Sequence, residues 1–270
     1  MTFRTRVEWL VRVVVSLVFG LCLMAPSVGA ADSFKLYFPI MRRIHPLYPA
    51  APHLLPIDNA GGAPDYLVRW DAAARAAIYE LEEQWQGGDW FLVYAGDSVQ
   101  VGLTNRPAGN YAYRVRGRNG LGYGPWSNLQ GAHVAGTPPG TISTPSSSSV
   151  NAGGKALVKI INDCPYALHV EFAGPSPGRM DLAKCDVCSV YSFIGPFICP
   201  TTNRPVQETP RDPGPYRVTV WVDQPGINPW VGFWQLAQNR RYTSCFYIVR
   251  RWAALGADPA WDLLPAACGD

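Results

Sequence analysis

Apolar and polar positions alternate with period two along much of this chain, and the clearest run lies between Gly109 and Asn119. On an extended backbone Tyr111, Tyr113 and Val115 fall on one side and Arg114, Arg116 and Arg118 on the other, as in a strand with one buried face. The same alternation, punctuated by Gly and Pro, predicts strands over 66–70, 78–83, 90–94, 99–103 and 126–134. Such regular spacing of short strands implies an antiparallel β-sandwich whose core holds Trp70, Tyr79, Leu81, Leu103, Tyr111, Tyr113 and Val115. Between Asp71 and Glu83 the Ala- and Glu-rich composition also suits a helix, which stands here as an alternative.

Beyond Gly136-Thr137-Pro138-Pro139-Gly140 the chain turns to Gly, Pro, Ser and Thr as far as Gly154, with only Ile142 and Val150 as large apolar side chains. So little surface to bury predicts a flexible linker. Further strands are then expected over 156–161, 168–172, 216–221 and 246–249, separated by Pro- and Gly-rich intervals, so the second half reads as another small β-sandwich. The expected organisation is a signal peptide over 1–30, a leader over 31–51, the first β-domain over 52–135, the linker over 136–154 and a cysteine-containing β-domain over 155–270. The fold class is all-β throughout.

The first domain resembles the fibronectin type III family over roughly positions 52–134. Trp70 stands where that family places its core tryptophan, and Tyr79-Glu80-Leu81 resembles its third strand. Leu103 with Tyr111 resembles the tyrosine corner, and Tyr113-Arg114-Val115-Arg116 with Gly124-Pro125-Trp126-Ser127 resembles the last two strands. The resemblance implies an immunoglobulin-like sandwich that serves outside the cell as a spacer or protein-binding module. Where adhesive members carry Arg-Gly-Asp this chain has Arg118-Asn119-Gly120, which gives integrin-type adhesion no support.

Four residues form the candidate binding face: Arg114, Arg116, Arg118 and Trp126, in which guanidinium planes stack on the indole of the neighbouring strand. Such a ladder reads first as reinforcement of the sheet and second as a docking surface, because Arg and Trp are enriched at interface hot spots. In the second domain Trp230, Phe233 and Trp234 lie among turn residues and form an alternative platform for stacking sugar rings.

After Cys22, the cysteines are Cys164, Cys185, Cys188, Cys199, Cys245 and Cys268, all in the second half. Their even number predicts disulfides in an oxidising compartment, with the loop bearing Cys185, Cys188 and Cys199 stapled to the strands and the pairing left open. Cys185-x-x-Cys188 also has the spacing of a redox dithiol or of half a zinc site completed by Cys164 or Cys199. The redox reading lacks the βαβ context of a thioredoxin-like fold, and exported thiols usually oxidise, so neither a metal nor a cofactor is assigned.

Compartment follows from the first residues. Arg4, Arg6 and Arg12 precede an apolar run from Val13 to Met24, and Val28-Gly29-Ala30 offers a cleavage site before Ala31. The run is shorter than the roughly 20 residues that span a bilayer. A secreted or cell-surface chain is therefore expected, with the membrane met only through the signal before cleavage. Leu21 before Cys22 argues against lipid attachment there. Loss of three arginines and Glu8 with the signal lowers the formal charge from +3 to near +1, which leaves no electrostatic footprint for nucleic acid. His45, His53, His133 and His169 are scattered, Glu82-Glu83 point to opposite faces of a strand, and no nucleophile elbow or phosphate loop is present. No catalytic residue is assigned; the expected partner is an extracellular protein or a polysaccharide.

Overall fold

The computed structural model describes residues 47–192, 195–196, 200–251 and 260–267; the signal segment, His45 and most of the leader, Cys199 and Cys268 lie outside them. Among the described residues all regular structure is β, and no helix is present.

Seven strands build the first sandwich: β1 (Tyr66–Arg69), β2 (Ile78–Trp85), β3 (Trp90–Gly96), β4 (Gln100–Leu103), β5 (Gly109–Asn119), β6 (Gly122–Trp126) and β7 (Gln130–Val134). One sheet pairs β1 with β4 and is extended by a bridge from Leu54 to Trp70. The other runs β3-β2-β5-β6, with β7 also on β5. These sheets of two and five strands, with the Leu54 bridge beside β1 and with β6 and β7 both paired to β5, make a fibronectin type III-like sandwich. Inward positions at period two, Tyr79 and Leu81 on β2 and Tyr111, Tyr113 and Val115 on β5, meet Leu54, Val68, Trp70 and Leu103 in one core. Tyr111 donates its hydroxyl to the Pro107 carbonyl at 2.7 Å, which is the tyrosine corner.

The helical alternative for residues 71–83 does not hold. Residues 71–77 form a loop, and Ile78 onward is strand because Tyr79 and Leu81 bury alternately. The Tyr79 hydroxyl then ties the loop by accepting the Ala73 amide at 2.9 Å.

The second sandwich consists of β8 (Gly140–Ile142), β9 (Ser147–Ser149), β10 (Ala156–Asn162), β11 (Leu168–Ala173), β12 (Gly178–Leu182), β13 (Tyr191–Ser192), β14 (Val206–Arg211), β15 (Gly214–Val222), β16 (Trp230–Leu236), β17 (Arg240–Arg251) and β18 (Ala260–Ala267). One sheet is ordered β12-β11-β15-β16-β8. In the other, β13-β17-β10-β14 form a path and β9 and β18 also pair with β17. Leu168, Val170 and Phe172 of β11, Tyr216, Val218 and Val220 of β15, and Trp234 of β16 face Val158, Ile160, Phe246 and Leu263 of the opposite sheet. Each large side chain so buried contributes about 1.5–3 kcal/mol.

The stretch expected as a flexible linker is part of this sandwich. Residues 140–142 run parallel to β16, and residues 147–149 run antiparallel to β17. Ile142 is buried in the core. Gly140 is needed because a Cβ there would enter the Trp230 indole. Arg240 bonds the Ser147 and Ser149 hydroxyls at 3.1 and 3.0 Å. Composition misleads here because the stabilisation comes from backbone pairing to two sheet edges, which leaves no mark in side-chain hydrophobicity.

Candidate functional site

The outer face of the β3-β2-β5-β6 sheet carries the arginines singled out by the sequence. Antiparallel register sets Glu80 opposite Arg116 and Glu82 opposite Arg114. Arg114 donates from Nε and Nη2 to Glu82 Oε2 at 2.8 and 2.6 Å, and Arg116 does the same to Glu80 Oε2 at 3.1 and 2.7 Å. Each guanidinium is also enclosed by rings. Arg114 lies 4.2 Å from the Trp90 centroid and 4.3 Å from Trp126; Arg116 lies 4.4 Å from Trp126 and 3.9 Å from Tyr123; Arg118 lies 5.2 Å from Tyr123. The result is one alternating stack, Trp90–Arg114–Trp126–Arg116–Tyr123–Arg118. Ser127 locks its last strand: Val115 N donates to Ser127 Oγ at 3.0 Å, and Ser127 N donates to the Val115 carbonyl at 2.8 Å. The structure thus brings Arg114, Arg116, Arg118 and Trp126 together and adds Trp90, Tyr123 and the two glutamates.

Deeper in the molecule lies an ionic cluster that sequence reasoning missed. Glu83 shares the inward phase of Tyr79 and Leu81 and has no exposed surface. Arg217, from β15 of the second sandwich, pairs with its Oε1, and Arg106, from the β4–β5 loop, lies 3.3 Å from its Oε2. Arg106 in turn pairs with Glu171 of β11. Tyr113 donates to Glu83 Oε2 at 2.5 Å. That spends its only proton, so Tyr66, 2.6 Å away, is the donor to Tyr113. Burial pushes the Glu83 carboxyl up, but Arg106 and Arg217 outweigh it and hold the group below the ordinary carboxylate range. Burial raises the Tyr113 hydroxyl, and neighbouring Glu83 raises it further, so it stays protonated.

Two charges of each sign therefore meet where the sandwiches join, with Glu83, Arg106 and Arg217 buried and Glu171 partly exposed. The Gly174 amide donates to the Leu92 carbonyl at 2.9 Å across the same joint, and Phe91 packs on Phe233 with centroids 5.9 Å apart. Beside it opens a cleft of about 480 Å³ whose walls include Asn105, Arg106, Trp221, Asp223 and Asn228. The signal for Glu83 was present as a carboxylate in phase with buried apolar residues. Arg217, on the outward phase of β15, carries no such signal.

The sugar-stacking platform is dispersed by the alternation of β16. Trp234 is 1% exposed and meets Phe172 edge-on in the core, and Trp230 is half-buried against that core. Phe233 points to the opposite face, toward Phe91. Trp230–Leu236 form a strand and not turns, and a strand cannot present neighbours 233 and 234 on one surface.

His169, scattered in sequence, gains partners in space. Its Nδ1 lies 2.6 Å from Asp181 Oδ1 and its Nε2 2.9 Å from Asp223 Oδ1, while its ring stacks on Trp221 at 5.4 Å. Partial burial pushes the Asp181 carboxyl up, but hydrogen bonds from His169 and Arg179 hold it below its usual range.

Of the cysteines, Cys185 and Cys188 form a disulfide with Cα atoms 5.3 Å apart. The bond closes on its own turn, so this pair does not make the expected staple between the loop and the strands. Anchorage comes instead from the Asp163 carboxylate, which accepts Arg204 Nε at 2.6 Å and Tyr191 OH at 2.7 Å. Cys164 is a buried thiol donating to the Phe246 carbonyl at 3.3 Å, not a disulfide partner; desolvation drives its ionisation far above the ordinary thiol range. Cys245 is buried on β17. Asp163, Cys185 and Cys188 place one ligand-type atom each within 4.8 Å of one another.

The fold and these sites define the class: an all-β protein of two joined sandwiches, the first of them fibronectin type III-like. No family model and no curated protein matches the chain. Solved structures similar to it include the FN3tt mutant, 18% identical, spanning 32% of this chain and 94% of that one at a TM-score of 0.28. Another is the sixth fibronectin type III domain of human fibronectin type III domain containing protein 3, 18% identical over 43% of this chain and 95% of that one at a TM-score of 0.27. A fibronectin type III domain of the same human protein is 17% identical over 42% and 94%, at a TM-score of 0.29.

Proposed function

We propose that this chain is a secreted or cell-surface, non-catalytic protein that serves as a rigid spacer and protein-interaction unit, its first domain being a member of the fibronectin type III family. The joint carries this reading. Glu83, Arg106, Glu171 and Arg217 are paired across two sandwiches, and breaking a buried ion pair from one side costs about 3–5 kcal/mol, so the domains hold a fixed spacing. The Cys185–Cys188 disulfide suits the oxidising side of a membrane. In the stack, every guanidinium of Arg114 and Arg116 is already satisfied by a glutamate and two rings, which favours reinforcement of the sheet over docking on that face.

The test is nuclear spin relaxation on the exported protein together with its N-terminal residue. The proposal expects Ala31 at the N-terminus and one rotational correlation time shared by both sandwiches. Independent tumbling would remove the spacer role, retention in the cytosol would remove the location, and turnover by the purified protein would remove the non-catalytic assignment.

A further inference from the structure

Asp163 raises a question that its role as an anchor does not answer. It is fully buried, yet its Oδ1 lies 3.0 Å from Cys188 Sγ. A disulfide sulfur carries no hydrogen, so in the oxidised pair this contact is not a hydrogen bond. In the dithiol it is an S–H···O⁻ hydrogen bond, and of the charge-assisted kind. The carboxylate is thus placed for the open form of the pair.

The disulfide itself encloses only Asp186 and Val187. The restriction a disulfide imposes on the unfolded chain grows with the length of chain it closes, so this bond contributes near the minimum. Noncovalent contacts already hold the turn. Cys185 N donates to the Cys164 carbonyl at 3.0 Å, and Asn162 Nδ2 donates to the Ala183 carbonyl at 2.7 Å. Arg204 and Tyr191 grip Asp163 from the far side of the loop. Opening the bond therefore leaves the loop tethered. Access is one-sided: Cys185 is buried, Cys188 is half-exposed, and Val187 beside it is exposed.

We propose that Cys185–Cys188 is a thiol-exchange site that opens reversibly to a dithiol, with Asp163 accepting the Cys188 hydrogen in the open form and a small or protein-borne dithiol as reductant. The reductant's thiolate attacks Cys188 Sγ, the Cys185–Cys188 bond breaks, and Cys185 leaves as a thiolate that takes a proton from solvent. The reductant's second thiol then displaces Cys188 from the mixed disulfide, and Cys188, protonated, donates to Asp163 Oδ1. Two electrons and two protons pass from the reductant, which leaves as its disulfide. Cys164, sealed under the Phe246 carbonyl, takes no part. The site is independent of the spacer role.

The test equilibrates the exported protein in graded mixtures of reduced and oxidised dithiothreitol, then alkylates and weighs the peptide bearing Cys185 and Cys188. The pair is expected to open and close reversibly with the circular dichroism spectrum and a cooperative melt retained. Asp163→Asn is expected to shift the balance toward the disulfide by about tenfold, the cost of losing a hydrogen bond to a charged acceptor. Tyr191→Phe, which keeps the carboxylate, is expected to shift it much less. An equal shift by Tyr191→Phe would reduce the effect to general loosening and overturn the proposal, as would stoichiometric zinc in the reduced protein. Should Asp163→Asn fail to fold, the parent alone decides: unfolding on reduction makes the bond a staple and refutes exchange.

Discussion

Glu83 is the side chain on which most depends. It sits without exposed surface between Arg106 and Arg217, so Arg217→Met leaves the carboxylate buried with one cation instead of two. Urea unfolding at pH 7 is expected to show a loss of about 3–5 kcal/mol, and a loss near that of an exposed pair, under about 1 kcal/mol, would mean that water reaches the joint. The pH dependence has a definite sign. The folded-state pKa of Glu83 lies below its ordinary value of 4.5, so the folded protein binds this proton less readily than the unfolded chain does. Its contribution is complete above pH 4.5 and is lost as the pH falls through the folded value. Acidification from pH 5 should therefore cost the parent more stability than Glu83→Gln, measured by the urea midpoint at each pH.

At the scale of elements, Trp126 joins β5 to β6 by lying against both Arg114 and Arg116. Its replacement by Ala removes two contacts of ~0.5–1 kcal/mol each, so a loss of about 1–2 kcal/mol is expected by urea denaturation, with Phe recovering part of it. Ile142 does the same service for β8, and Ile142→Asp is expected to open residues 140–149 to subtilisin while the parent resists cleavage there. Elements of the first sandwich were legible because Tyr79, Leu81, Tyr111, Tyr113 and Val115 keep strict period two and bury large rings. The arginine stack was legible for the same reason, since the phase opposite the buried one carries Arg114, Arg116 and Arg118 in succession. Strands β8 and β9 were not, because Ser147, Ser148 and Ser149 gain their place by backbone pairing and by the reach of Arg240. The paired sheet partner of β16 was likewise hidden, and with it the inward turn of Trp234. Spacing alone made Cys185 and Cys188 visible as a pair, but their partner Asp163 is distant in sequence and was found only in space.

For the whole molecule, the account reduces to two sandwiches that behave as one body because charges buried at their joint cannot part cheaply. Scanning calorimetry of the purified protein tests this most directly. One transition with equal calorimetric and van't Hoff enthalpies is predicted, splitting into two when Arg217→Met weakens the joint. Two separate transitions in the unaltered protein would contradict it.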